Sequence, residues 1–380
     1  MWRFGFPGLL LALAAATVVL SIVGAQLVLD SRDGRVGRAE LDPTKPGYLA
    51  TVAPTPTFLV AHVDDGKLLS VVVLALGPND TGGGAVVLSP NTWVQLEEGA
   101  DSISLEAIYE QHGIEDVQTG EGLRAAVSTV LRADVDDYVE LNARSLAPLI
   151  EPVAPLRYTL PDPVRERRGN GTVTVLPAGE VQIDTTDEII AAIETLGPDE
   201  EVIRRTERQQ RFWQAWIDAV RAAPDPAQAF PSGSSSTTIA RFVRGLAAGE
   251  ARVDILPYVR FEGILVADRD EIDDLARELI PFPRQEGVRV SVAVYNGVGD
   301  LSLNQSVLRQ LIGAGAQIVS LGNTPSFGVE TTSVAYHDPS LRSQAEALAD
   351  AIGATDVRFD GKPESDIGVT VTIGADYVAP

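Results

Sequence analysis

The sequence predicts an α/β protein in which an N-terminal transmembrane helix precedes an α/β/α layered domain and a small βαββαβ domain. Three observations carry this. Phe4 to Leu29 holds no charged residue. From Phe58 onward, short runs rich in valine and leucine alternate with helical patterns, the mixture that gives layered α/β domains. From Val288, strands and helices follow one another over short connections. The 380 residues suffice for two packed domains, and 45% hydrophobic against 22% charged content excludes general disorder. A net charge of −23 argues against nucleic acid and against the anionic face of a membrane, since both are bound by clustered Lys and Arg. Cysteine is absent, which excludes disulfides, thiolate metal sites and cysteine nucleophiles.

Taken in order, residues 1–29 are expected to be a single-pass signal anchor, because an apolar stretch of this length crosses a hydrocarbon core of about 30 Å. Val23-Gly24-Ala25 resembles a cleavage site, so a removed signal peptide competes; the apolar run continuing through Leu27, Val28 and Leu29 favours the anchor. Residues 30–56, with four prolines after Leu41 and little periodicity, read as an extended linker. Within a first domain at 57–286, Phe58–Val63, Leu68–Leu76 and Ala85–Leu88 read as three strands joined by hairpin turns, the middle one apolar throughout and so interior. Helical patterns follow at Ser104–Gln111 and Gly122–Leu131, then strand-like pieces at Tyr138–Leu141, Val173–Val175 and Val253–Leu256. Arg165 to Gly171 reads as a solvated loop, and Pro231 to Thr238 as a loop ending in a helix N-cap.

The stretch Glu201–Arg221 predicts an amphipathic helix. At about 100° per residue, Val202, Phe212, Trp213, Trp216 and Val220 share one face, with Ile217 at its edge. Arg205 and Gln209 fall on that face, Arg208 at its margin, and Arg204, Glu207 and Arg211 point away. A buried guanidinium needs a partner, because desolvating an unpaired charge is expensive. Arg205 therefore faces either a structural carboxylate or a phosphate, which a planar guanidinium grips bidentately. His62, His112 and His337 are far apart in sequence, so no metal site is expected on them.

In the second domain, 287–380, strands are expected at Val288–Tyr295, Gln317–Leu321, Thr331–Tyr336 and Ile367–Ile373, with a short one at Val357–Phe359. Asn296-Gly297 marks a sharp turn. Helices at Leu301–Ile312 and Ser340–Ile352 end at Gly313 and Gly353.

His62-Val63-Asp64, Leu69-Ser70, Leu88 to Val94, Leu105 to Tyr109, Asp136 to Val139 and Arg205-Thr206-Glu207-Arg208-Gln209 follow one another in the order of motifs that the LytR-CpsA-Psr (LCP) family of bacterial envelope proteins shows. The resemblance implies an enzyme that moves an anionic glycopolymer from a polyprenyl-pyrophosphate carrier to peptidoglycan. In such enzymes arginines grip the pyrophosphate, and aspartates hold magnesium or assist the acceptor. Carried over residue by residue, it marks Arg205, Arg208, Gln209 and Asp64 as phosphate- or ligand-binding candidates. Asn91 and Thr92 stand where the family has arginine and aspartate, no aspartate occupies the second motif, and Ile189 to Glu194 lacks the expected paired arginines. Each lost donor costs on the order of 10² to 10³ in rate, so the expectation is a degenerate, non-catalytic LCP-like domain without cofactor; magnesium enters only in an active transferase.

Val292 to Gly297, Thr332 to Tyr336 and Asp366 to Tyr377 resemble the LytR C-terminal domain. The resemblance implies a position outside the cytoplasm, although Arg32, Arg35, Arg38 and Lys45 outnumber Arg3 around the anchor. The expectation is thus a single-pass cell-membrane protein, its bulk extracytoplasmic, that binds polyprenyl phosphate lipid or cell-wall glycopolymer. An active glycopolymer–peptidoglycan phosphotransferase and an acidic envelope scaffold are the alternatives.

Overall fold

The computed structural model describes residues 40–95, 101–112, 119–231, 233, 237–261, 264–361 and 367–378. The expected membrane helix lies outside them, as does the first part of the expected linker. Among the described residues no helix is long and apolar enough to cross a membrane.

The first domain runs β2 (Thr57–Asp64), after a β1 (Leu49–Thr51) that belongs elsewhere, then β3 (Lys67–Leu76), β4 (Gly83–Leu88), β5 (Thr92–Val94), β6 (Ile103–Ser104), α1 (Leu105–His112), α2 (Thr119–Leu131) and β7 (Asp137–Leu141). It continues with α3 (Ala143–Ile150), β8 (Leu156–Leu160), β9 (Val164–Arg168), β10 (Gly171–Leu176), β11 (Gly179–Ile183), α4 (Thr186–Ile193), α5 (Val202–Ala222) and α6 (Thr238–Ala247). β12 (Ala251–Ile255), β13 (Tyr258–Phe261), β14 (Ile264–Ala267) and α7 (Arg269–Leu279) complete it. The central sheet has the order β12-β4-β3-β2-β7. β2, β3 and β4 form the antiparallel meander that the apolar runs announce, and β7 and β12 add in parallel at the two edges.

Strand alternation makes this sheet the middle of three layers. Phe58, Val60, Val72 and Leu74 face α3, α4, α5 and α6. Leu59, Ala61, Val71 and Val73 face α1, α2 and α7. β3 is buried on both faces, as a strand apolar throughout should be. The expected solvated loop at Arg165 to Gly171 is instead most of a hairpin: β9 pairs with β10 about Gly169, whose φ of 59° suits a tight turn. Its arginines stand on an exposed ribbon, where strand pairing needs no apolar face. Thr237 takes the N-cap position of α6 as expected, with no capping bond from its side chain to the helix.

The second domain contains β15 (Val290–Asn296), α8 (Ser302–Gly313), β16 (Ala316–Asn323), β17 (Ser333–Tyr336), α9 (Arg342–Ile352), β18 (Asp356–Phe359) and β19 (Val369–Ile373). Gly353 closes α9 in the left-handed conformation. The sheet order is β1-β16-β15-β19-β17-β18, with α8 and α9 packed on one core. This corrects the expectation of a self-contained βαββαβ unit and of an extended linker through residue 56. β18 is a full strand, and β1, from before the first domain, pairs antiparallel with β16 through Leu49↔Gly322 and Thr51↔Ser320. Asn323 Nδ2 donates to the carbonyls of Pro43 (2.8 Å) and Lys45 (2.7 Å), and its N–H donates to Tyr48 O. The composition of 40–52 is linker-like because an edge strand held by backbone bonds needs little apolar patterning of its own.

The chain crosses between the domains twice. Thr55 N–H donates to Phe282 O (2.9 Å), and Phe282 N–H donates to Thr55 Oγ1 (3.0 Å). Arg289 donates to Arg132 O from Nε (3.2 Å) and Nη2 (3.1 Å), and from Nη1 to Ile312 O (2.9 Å) and Ala316 O (3.2 Å). One guanidinium thus caps the carboxyl end of α2 in the first domain and of α8 in the second, where the helix dipoles favour a cation. Burial first, and then the charge of Arg132, hold its pKa below the usual arginine value, with Asp273 opposing.

Candidate functional site

α5 forms over a single span, although its N-cap Glu201 makes no side-chain capping bond, because its apolar face is buried in the layered core. Trp216 and Phe212 have no exposure, and the rings of Trp213 and Trp216 pack at 5.2 Å. The face is rotated slightly from the sequence expectation: Ile203 is buried and Val202 only half-buried, while Arg208 lies fully inside at 5% exposure rather than at the margin. Arg204 and Arg211 are exposed, as expected.

Inside, the last turn of α4 and the segment that follows it lie over the helix and offer it carbonyl oxygens. Arg208 Nε donates to Ala192 O (2.7 Å), Nη2 to Thr195 O, and Nη1 pairs with the carboxylate of Glu200. Gln209 Nε2 donates to Ile193 O (2.7 Å). Arg205, 6% exposed, reaches Glu194 O at 3.4 Å and Leu69 O at 3.3 Å, and its Nε has no partner. Burial and the neighbouring Arg208 lower its pKa, and Glu200 and Glu106 oppose them. The structural carboxylate expected for Arg205 is not among its hydrogen-bond partners: backbone carbonyls of Glu194 and Leu69 hold the guanidinium, which is enclosed. Among the described residues Gln209 Oε1 and Tyr158 OH are buried without partners, and burial first raises the Tyr158 pKa, with Arg208 opposing.

A histidine that sequence spacing set aside belongs to this cluster. His62, 5% exposed, meets Glu194 Oε1 through Nε2 at 3.0 Å, and Ala143 N–H donates to the same oxygen at 2.7 Å. Burial alone would raise the Glu194 carboxyl; the His62 and Ala143 hydrogen bonds and the His62 and Arg144 charges outweigh it and hold the pKa below the carboxylate value of 4.5. The signal for it was that His62 interrupts an otherwise apolar run, Phe58–Val63. Asp64 is exposed at the end of β2, across from Lys67, and no contact joins it to Arg205, Arg208 or Gln209. Of the four candidates, the structure brings together three and leaves the fourth outside.

Two cavities flank the cluster, concave sites of the kind that hold ligands. One, of about 780 Å³, is lined by Pro161, Arg165, Arg204, Glu207, Arg208 and Arg211 among others. The second, of about 500 Å³, is lined by Asn91, Trp93, Glu106, Glu200, Glu201 and Arg260 among others. In the second, three carboxylates face one guanidinium, and Arg260 already pairs with Glu201 (2.9 Å). An anion placed there meets repulsion.

In the second domain the motif residues are keystones. Asn296 Nδ2 donates to Asp300 O and Asn304 Oδ1, both at 2.9 Å, while its Oδ1 accepts from Val298 N (3.0 Å) and Gly299 N (2.8 Å). Asp376 Oδ1 accepts from the N–H and the hydroxyl of Thr332, both at 2.7 Å.

Among solved structures the chain is similar to TagV of B. subtilis (17% identity, 61% of this chain and 99% of that one, TM-score 0.46). It is also similar to a LytR-Csp2A-Psr enzyme from Actinomyces oris (15%, 61% and 95%, TM-score 0.44). A third is the LytR-CPS2A-psr family protein YwtF (TagT) with bound octaprenyl pyrophosphate lipid (16%, 64% and 92%, TM-score 0.41). At such identities and TM-scores these likenesses carry no residue roles across. No curated protein matches the chain. Residues 289–377 match the family model of the LytR cell envelope-related transcriptional attenuator, and by that match the chain carries a LytR C-terminal domain.

Proposed function

We propose that this chain is a non-catalytic, LCP-like protein of the cell envelope, anchored by its N-terminal apolar segment with both folded domains outside the cytoplasm. Its ligand is a wall glycopolymer, free or polyprenyl-linked, bound without the arginine grip on pyrophosphate that active members of the resembled family use. One observation carries this reading: the guanidinium of Arg208 is engaged by Glu200 and by carbonyls of 192–195, and that of Arg205 is enclosed against carbonyls. Phosphoryl transfer depends on positive charge placed where negative charge develops, and a cation held by internal acceptors is not at the disposal of a substrate. The LytR C-terminal domain supports the envelope setting.

The test uses the full chain in detergent with a polyprenyl-pyrophosphate-linked glycopolymer, peptidoglycan and magnesium. The expected result is retention of the polymer with no release of lipid pyrophosphate. Magnesium-dependent release would make the chain an active transferase, and neither retention nor release would leave the acidic scaffold as the reading. Placement is checked separately: a C-terminal export-dependent phosphatase fusion is expected to be active, and activity of a cytoplasmic reporter at the same site would overturn it.

A further inference from the structure

Between the domains lies a third cavity, of about 680 Å³, whose walls are α7 from one domain and α8 from the other. Its floor is apolar: Pro281, Phe282, Leu308 and Ile312, of which Phe282 and Leu308 pack against the core of the second domain. The acids on its rim are already neutralised, Asp274 by Arg277 and Glu278 by Arg252. Arg309, exposed on α8, is the exception, with neither ion pair nor hydrogen bond among the described residues. The two carboxylates and two guanidiniums that line the cleft balance in number, and Arg309, beside the apolar floor, is the one of the four without an ion-pair partner among the described residues, so it is the group an incoming anion can engage.

The cleft is also preformed. Its two walls are tied by the Arg289 bridge to Arg132 O and Ile312 O and by the reciprocal bonds of Thr55 and Phe282, so no rearrangement of the domains is needed to open it. A volume in this range fits one small organic molecule rather than a membrane surface.

We infer that the interdomain cleft between α7 and α8 is a binding site for a small amphipathic anion, its apolar body on Phe282, Leu308 and Ile312 and its acidic head at Arg309. The inference is independent of the polymer-binding reading, because it uses no residue of the α5 cluster.

Octyl phosphate below its micellar concentration is the probe, titrated calorimetrically into the full chain, with inorganic phosphate supplying the charge alone and octyl glucoside the apolar body alone. Octyl phosphate is expected to bind at least tenfold more tightly than either control. Arg309→Gln should weaken it about tenfold, as a lost charge-assisted contact would. Gln305→Glu should do the same from the opposite direction, by setting a carboxylate one helical turn before Arg309 where it pairs with the guanidinium. Both positions are exposed, so the fold is undisturbed. No binding of octyl phosphate, equal binding of inorganic phosphate, or unchanged affinity in both variants would each overturn the inference.

Discussion

The two domains both turn their motif residues inward, but with different chemistry and different completeness. In the first, charged side chains of α5 are buried against carbonyls, and among the described residues Arg205 Nε, Gln209 Oε1, Tyr158 OH and, two turns beyond Gln209, Trp216 Nε1 are buried without partners, against Ser320 Oγ on β16 in the second. In the second, the neutral amide of Asn296 makes four hydrogen bonds at 2.8–3.0 Å, and Asp376 saturates Thr332. A neutral keystone closes its account locally, because its donors and acceptors match those of a turn one for one. Buried guanidiniums need five acceptors apiece and rarely find them all. The first domain therefore keeps a polar cluster whose members differ in what their loss should cost.

The largest effect is expected from Arg208→Met, which takes their donor from the carbonyls of Ala192 and Thr195 and one donor from half-buried Glu200, whose Oε2 keeps the Gly197 N–H, and should destabilise by about 3–4 kcal/mol. In the same helix Arg205→Met should be neutral or stabilising, since Arg205 has no carboxylate to abandon and an apolar chain of similar length suits its burial. Denaturant melts of the two variants decide, and equal losses would erase the distinction between a paired and a merely enclosed charge.

A smaller loss, about 2–3 kcal/mol, is expected from Asn296→Ala, which strands the N–H groups of Val298 and Gly299 and the Asp300 carbonyl. Its mark should be location: amide exchange should quicken in the second domain, around β15 and α8, and hardly at all in the central sheet of the first. Uniform quickening would mean that the strap and the Arg289 bridge make one cooperative unit of both.

The smallest effect concerns pH. The Glu194 carboxyl is held below its unfolded value of 4.5, so it contributes stability that is fully present above that pH and is lost as pH falls through the lower folded value. Glu194→Gln should remove that part of the acid-side slope while leaving the slope above pH 6 to other groups. An unchanged acid limb in urea melts between pH 5 and pH 3 would show that His62 and Ala143 do not favour the charged form.

Much of this architecture was legible without coordinates. The meander β2-β3-β4, the interior position of β3, α5 with its two tryptophans, and the alternation of strands and helices in the second domain all follow from side-chain period, which is local. The hairpin at Arg165 was missed because strands on an exposed ribbon carry no alternation, and the short helices α3, α4 and α7 were missed because two or three turns give too little helical period to read. Three of the four candidate site residues, Arg205, Arg208 and Gln209, did converge, and they meet backbone carbonyls and Glu200 that no residue type announces.

What the sequence by itself determined is the apolar strands of the meander and the buried face of α5 to within a small rotation, since a period of two or 3.6 is written within a dozen residues. It also determined that Arg205 and Gln209 enter the core while Arg204 and Arg211 do not. What only the tertiary structure decided is whom they meet. Arg208 and Gln209 each find a carbonyl 16 positions earlier, His62 a carboxylate 132 positions later, and Asn323 a carbonyl 280 positions back across the whole first domain. A backbone carbonyl is offered by every residue alike, so no residue type announces it. Only the path of the chain determines which of them a buried donor will reach.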